Sequence, residues 1–151
     1  MRAWRIARDA HQALDGEGAR LYGGRWNPEG VAAVYTSASL ALAALEYLVH
    51  VDAEDVPGDL VALEIEVPDD AGVRIVRPRD LPADWNRVED HPACVAMGAE
   101  WVRNGADLVL RVPSAIVPEE SNLLINPGHP TAGRVTVVGT RPFSFDPRLL
   151  G

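Results

Sequence analysis

The sequence predicts an α+β fold built on a largely antiparallel sheet with few helices. Three observations carry that expectation. Strand-like segments outnumber helical ones, they do not alternate with helices as repeated βαβ units require, and 3.6-residue periodicity marks only two helices. Of the 151 residues, 47% are hydrophobic and 24% charged, enough apolar material for one sizeable core, so a single domain over residues 1–151 is expected.

Ala3 to Ala7 alternates and reads as a short strand. Asp15 to Gly30 holds Gly16, Gly18, Gly23, Gly24 and Gly30 and reads as a structured loop. Val31 to Thr36 follows as a strand. Thr36 or Ser37 is placed to cap a helix running to about His50, because Leu40, Ala41, Ala44, Leu45 and Leu48 share one face. Leu60 to Val67 sets Val61, Leu63, Ile65 and Val67 against Glu64 and Glu66, the pattern of a half-buried strand. Val73 to Val76 is another short strand. After the turns around Pro78, Pro82 and Asn86, a second helix is capped by Asp90, accepts Pro92 in its first turn and stops at Asn104-Gly105. Leu108 to Val112, Leu123 to Ile125 and Arg134 to Thr140 complete the strands, with a proline-punctuated loop from Pro113 to Glu120.

Charge and composition exclude several activities. Fourteen basic residues against twenty-two acidic ones give a net charge of −8, which repels nucleic-acid backbones. Every basic residue is arginine, so P-loop, Schiff-base and lysine-base chemistries drop out. The lone Cys94 forbids an internal disulfide or a multi-cysteine metal site, and His11, His50, His91 and His129 lack metal-ligand spacing. The charge-free apolar stretch Val31 to Leu45 is shorter than the roughly 20 residues that span a bilayer. With no apolar segment behind Arg2 and Arg5, a cytoplasmic protein is expected.

Glu46 is the most informative residue. It is the only charge between Val31 and Val51, on an otherwise apolar helix, and an unpaired buried carboxylate costs several kcal/mol. It therefore either reaches solvent at the helix flank or faces a pocket that supplies partners. Upstream, Gly23-Gly24-Arg25-Trp26-Asn27 combines close backbone approach with a planar guanidinium fork suited to phosphate or carboxylate. The plainer alternative pairs Arg25 with a surface carboxylate. Gly16-Glu17-Gly18 lacks the third small residue of a dinucleotide fingerprint, since Leu21 stands there. Tyr35 is either a core aromatic or a ring stacked on a planar ligand. Ser114, in Val112-Pro113-Ser114-Ala115, has no nucleophile-elbow context. His129 is read as a turn residue, and Cys94 and Trp101 as core.

Taken together, several segments resemble the RES domain, the toxin half of RES–Xre toxin–antitoxin pairs. They are Trp4-Arg5-Ile6, Gly16 to Ala19, Gly23 to Asn27 with Gly30, Val34-Tyr35-Thr36, Leu45-Glu46, Val112 to Ala115, and Asn122 to Pro127 with His129-Pro130. Their order spans almost the whole chain. The resemblance implies an ADP-ribosyltransferase-like fold and a toxin that cleaves the nicotinamide–ribose bond of NAD+ by hydrolysis or phosphorolysis, arresting growth, with no metal. One branch resembles a protein ADP-ribosyltransferase, and a catalytically silent nucleotide-binding or interaction module is a third reading. The family's arginine, glutamate and serine map to Arg25, Glu46 and Ser114, with Arg5 and Tyr35 at two further active-site positions. Ser121 competes for the serine but lacks the Pro-Ser-Ala context. Asn122 and Asn126 match positions to which no role is assigned, and Leu123 departs from an aromatic often found there.

On this resemblance Arg5 and Arg25 would hold the pyrophosphate and Tyr35 would stack on or orient the nicotinamide ribose. Glu46 would bind ribose hydroxyls or stabilise positive charge on the sugar, and Ser114 would position ribose or nicotinamide. The implied partner is an Xre-type helix-turn-helix antitoxin that occludes the NAD+ pocket and carries any DNA contact. A higher-order toxin–antitoxin complex is expected.

Overall fold

A computed structural model describes all residues, 1–151. Along the chain run β1 (Arg2–Arg8), α1 (Glu17–Tyr22), β2 (Val34–Ser37), α2 (Leu40–Leu48), β3 (Leu60–Glu66), β4 (Val73–Ile75), α3 (Pro92–Asn104), β5 (Val109–Pro113), β6 (Ser121–Ile125) and β7 (Thr136–Pro142). The seven strands form one sheet in the order β4-β5-β6-β2-β1-β3-β7, antiparallel at every junction except the parallel pair β4–β5. The fold is α+β, as the strand-rich, irregularly interrupted pattern requires.

Two ladders make up this sheet. β1 pairs with β3 along its full length, from Arg2 opposite Glu66 to Arg8 opposite Leu60, and β2 pairs with β6 from Val34 opposite Ile125 to Ser37 opposite Asn122. The ladders meet at a single residue pair, Trp4 opposite Ser37. Beyond it, Arg5 to Arg8 on β1 and Thr36 to Val34 on β2 no longer pair. The sheet parts there.

Strand alternation sorts the side chains onto two faces. Ala3, Ala7, Val34, Leu63, Ile65, Val109, Leu123 and Ile125 build the core of one face. On the other, α2 covers Ile6, Leu60 and Phe145 through Ala43, and α3 covers Leu110, Val112 and Leu124 through Cys94 and Trp101. Each fully buried leucine or valine contributes about 1.5–3 kcal/mol. α3 also lies directly on the turn after Gly24: a Cβ on Gly98 would come within 1.6 Å of the Trp26 carbonyl oxygen. Only glycine lets those backbones touch.

Several boundaries differ from the sequence reading, each for a local reason. The glycine-rich loop contains α1, a helix of 6 residues held by the Glu17–Arg20 ion pair. β2 continues through Ser37, so Ser39 caps α2 and accepts from Leu42 N–H at 3.1 Å. α2 ends at Leu48. His91 occupies the position before α3, while Asp90 takes a left-handed backbone with φ 57°; Pro92 starts the helix, and Gly105 ends it at φ 69°. Arg134 lies in a 3-10 turn, and β7 runs from Thr136. No helix is long and apolar enough to cross a membrane.

Candidate active site

Glu46 points from α2 toward the sheet, and the structure supplies its partners. Its Oε1 accepts from Ser114 Oγ at 2.8 Å and from Asn122 Nδ2 at 2.7 Å. Glu46 is partly exposed, and it has protein partners for its carboxylate. Asn122 is itself fixed, because Ser37 Oγ donates to its Oδ1 at 2.7 Å. Ser37 and Asn122 face each other across the β2–β6 ladder, at the pair where β2 also meets β1. Ser114 is fully buried at the exit of β5. Its hydroxyl proton goes to Glu46, and its lone pairs accept from Ile116 and Val117 N–H, both at 3.1 Å. Ser114 thus ties the loop after β5 to Glu46 and has no donor left for a ligand. Ser121, the competing serine, accepts from Arg111 Nε at 3.1 Å instead.

Tyr35 lies two residues before Ser37 on the same strand and face, about 7 Å away along the backbone. Its hydroxyl accepts from Trp26 N–H at 2.9 Å and donates to Asn27 Oδ1 at 2.6 Å. A Cβ on Gly24 would lie 2.6 Å from that hydroxyl, so the glycine pair lets the turn close over Tyr35. Burial pushes the phenol well above its ordinary pKa, against the smaller opposing pulls of Trp26 N–H and the Arg25 charge, so it stays a donor. Both hydroxyl bonds serve the turn. Only the half-buried ring is left for a ligand.

Asn27, which the sequence did not single out, is the hub of that turn. It is 1% exposed, and its Nδ2 faces the carbonyls of Ala19, Pro28 and Val31 at 2.8, 3.1 and 2.9 Å. From this rigid turn Arg25 reaches the segment before α3, donating to the Trp85 carbonyl at 3.0 Å and the Arg87 carbonyl at 2.7 Å. No carboxylate lies within 4.0 Å of it, so the surface ion pair weighed above does not form. Its charge is felt by Tyr35, His91 and Cys94: burial, then Arg25, lowers the His91 pKa, while burial raises the Cys94 thiol against Arg25. His91 Nδ1 is buried without a partner.

Arg5 stands apart from this cluster. Alternation with Ala3 and Ala7 turns it to the opposite face from Ser37, at the first position where the ladders part. Its Nη1 donates to the carbonyls of His11 and Ala13, both at 3.3 Å, and no carboxylate pairs with it. Burial lowers its pKa and Asp15 partly offsets this, yet an arginine stays charged. The structure therefore brings together Glu46, Ser114, Asn122 and Ser37, sets Tyr35 and the Arg25 turn on the same face, and leaves Arg5 across the opening. Asn126 accepts from Gly128 N–H at 2.9 Å and organises its own turn, as His129 does by accepting from Thr131 N–H at 3.1 Å. No group of three or more His, Cys, Asp or Glu is placed to hold a metal.

Half-buried Arg25 and Tyr35 around the buried Asn27, and a serine-anchored Glu46, thus lie on one face of the sheet. The model of the RES domain matches residues 2–146. The chain belongs to the RES domain family. It is 42% identical over 153 residues to the Prs ADP-ribosylating toxin of Sphingobium sp. (strain YBL2), covering 97% of this chain and 95% of that protein. It is 38% identical over 135 residues to Toxin Res of Yersinia enterocolitica, covering 89% and 88%. Toxin Res of Photorhabdus laumondii is 37% identical over 150 residues, covering 97% and 96%. The fold matches the solved M. tuberculosis MbcT–MbcA toxin–antitoxin complex with a TM-score of 0.79, at 22% identity, over 95% of this chain and 84% of that one. This RES chain is thus a toxin of the Res kind.

Proposed function

We propose that this RES toxin binds NAD+ and breaks its nicotinamide–ribose bond, with Glu46 as the catalytic anion and Arg25 as a phosphate-binding cation. The observation that carries the reading is the Glu46 carboxylate: Oε1 is held by Ser114 and Asn122, and no hydrogen bond of the protein goes to Oε2. An anion fixed through one oxygen presents the other to a ligand without reorganising, which is the form of electrostatic catalysis that gives the largest rate gains.

The bond that breaks joins C1′ of the ribose to the pyridinium nitrogen. The electron pair leaves with nicotinamide, which becomes neutral and needs no acid. Positive charge grows on the ribose, as in glycoside cleavage, and Glu46 stabilises it or holds a ribose hydroxyl. The acceptor bonds to C1′ and gives up its proton. Arg25 and Arg5, whose partners are backbone carbonyls and not carboxylates, suit the pyrophosphate, which this acidic chain otherwise repels. The half-buried Tyr35 ring is suited to stack on the nicotinamide ribose.

Water, phosphate or a protein side chain is the acceptor. The kinship with the Prs ADP-ribosylating toxin favours including a protein acceptor in any test. The matching toxin–antitoxin complex supports an antitoxin partner, which in this reading is an Xre-type protein covering the Glu46 cleft. Induced expression with cellular NAD+ followed over time, and mass spectrometry of products in lysate with and without phosphate, is the test. Falling NAD+ with ADP-ribose, ADP-ribose phosphate or a modified protein supports the reading. Growth arrest at constant NAD+ with none of these products overturns it.

A further inference from the structure

A glutamate side chain turns about several torsions, yet a catalytic anion must present one oxygen in one direction. Two groups hold it, and they differ in kind. Ser114 is anchored by two backbone N–H groups of its own loop. Asn122 is anchored by another side chain, Ser37, across the β2–β6 ladder. An asparagine amide can turn end for end, and in the turned state it would place its carbonyl oxygen against the Glu46 carboxylate, a repulsive contact. What forbids that state is Ser37: its hydroxyl donates to Asn122 Oδ1 at 2.7 Å and so leaves Nδ2 pointing at Glu46 Oε1. Ser37 is 3% exposed, so water does not replace it, and it stands at the one residue pair that joins the two ladders.

We propose that Asn122, oriented by Ser37, is the positioning residue that commits Glu46 Oε1 to the protein and Oε2 to substrate. Hydrogen bonds run one way, from Ser37 at the junction of the ladders through Asn122 to the accepting carboxylate of Glu46. The chain explains why a polar pair faces the helices on strands whose neighbouring positions, Leu124 and Tyr35, pack into the apolar core. It rests on the reading of Glu46 as the catalytic anion.

Substitutions at the two ends of the relay test it through nicotinamide release and, separately, through a signal that needs no substrate. Asn122→Ala is expected to lower kcat about a hundredfold and Ser37→Ala about tenfold, with KM for NAD+ changing less than about threefold, because ground-state binding does not use the relay. Ser37→Thr keeps the hydroxyl and is expected to stay within about threefold of the parent. In the Asn122→Ala background, Ser37→Ala should cost nothing further, since the group it orients is gone. Equal losses from Ser37→Ala in both backgrounds, or equal kcat in Ser37→Ala and the parent, would overturn the proposal. The second signal is the Asn122 side-chain amide in the nuclear magnetic resonance spectrum of the unliganded protein. Two resolved, exchange-protected protons that collapse in both Ser37→Ala and Glu46→Ala support the relay, and an amide unchanged in both contradicts it. A parent that releases no nicotinamide would sink the functional reading, and the amide signal would then decide the relay alone.

Discussion

Replacing Glu46 by glutamine separates chemistry from folding. In the structure both protein bonds fall on Oε1, at 2.8 Å from Ser114 and 2.7 Å from Asn122. Glutamine can keep its carbonyl oxygen in that place and put its NH2 where Oε2 was. Each bond then goes to a neutral acceptor, losing about 1 kcal/mol against a charged one, so about 2 kcal/mol in all. For a chain of this size that lowers the melting temperature by about 4–8 °C. The chemical step loses the anion that faces developing positive charge, a loss of about 3–4 kcal/mol or 10²–10³ in rate. Glu46→Ala is the contrast: it strands the Ser114 hydroxyl and the Asn122 amide, each costing about 1–3 kcal/mol, and should destabilise more. Thermal melts and nicotinamide release, with growth inhibition in cells as a companion readout, measure both effects. A glutamine variant that melts within that range and turns over NAD+ at the parental rate would refute the assignment of Glu46.

Three further outcomes are expected. Arg25→Lys replaces a fork on two carbonyls by a point charge that cannot span both, so NAD+ titrated into the Glu46→Gln protein should bind about tenfold more weakly when this change is added, and equal affinity would count against Arg25. Tyr35→Phe leaves Trp26 N–H and Asn27 Oδ1 without their partner, which should cost about 2–4 kcal/mol of stability in urea unfolding; no loss would show that the hydroxyl does not hold the turn. His91 prefers its neutral form in the fold, chiefly through burial and then through Arg25. The unfolded chain therefore binds more protons just below the ordinary imidazole value of 6.5, and stability falls as pH drops through that range. Melts between pH 7.5 and 5.5 should show this slope, and His91→Gln should flatten it. The carboxylates held low by arginine, such as Asp59 beside Arg8 and Asp70 beside Arg134, act only near and below their ordinary 3.8 and leave that window clear.

Glu46 was legible because a lone carboxylate among alanines and leucines has to find partners, and periodicity alone places it on a helix. Its partners were not legible from spacing or periodicity; only the RES resemblance set Ser114 at the same site, and it left Asn122 without a role. Ser114 and Asn122 lie 68 and 76 residues further along the chain, and only strand pairing in the folded sheet brings them to it. Alternation did hold one unused clue: Asn122 shares a face with the core residue Leu124, so a polar group was bound to point inward there. The Arg25 turn was recognised from its glycines, but not what the arginine does, since the carbonyls it holds are 60 and 62 residues away. α1 escaped notice because 6 residues between glycines carry no periodic signal, and their support comes from the Glu17–Arg20 pair. The cap of α2 moved from Thr36 or Ser37 to Ser39 because pairing of β2 with β6 holds Ser37 in the sheet. Local propensity gave way to tertiary hydrogen bonds.

The most direct test of the account is where NAD+ lies in crystals of the Glu46→Gln protein. The expected result is the ribose bearing nicotinamide against residue 46, on the side away from Ser114 and Asn122, with pyrophosphate oxygens on the Arg25 guanidinium. NAD+ bound elsewhere, or held with its pyridinium turned away from residue 46, would contradict it.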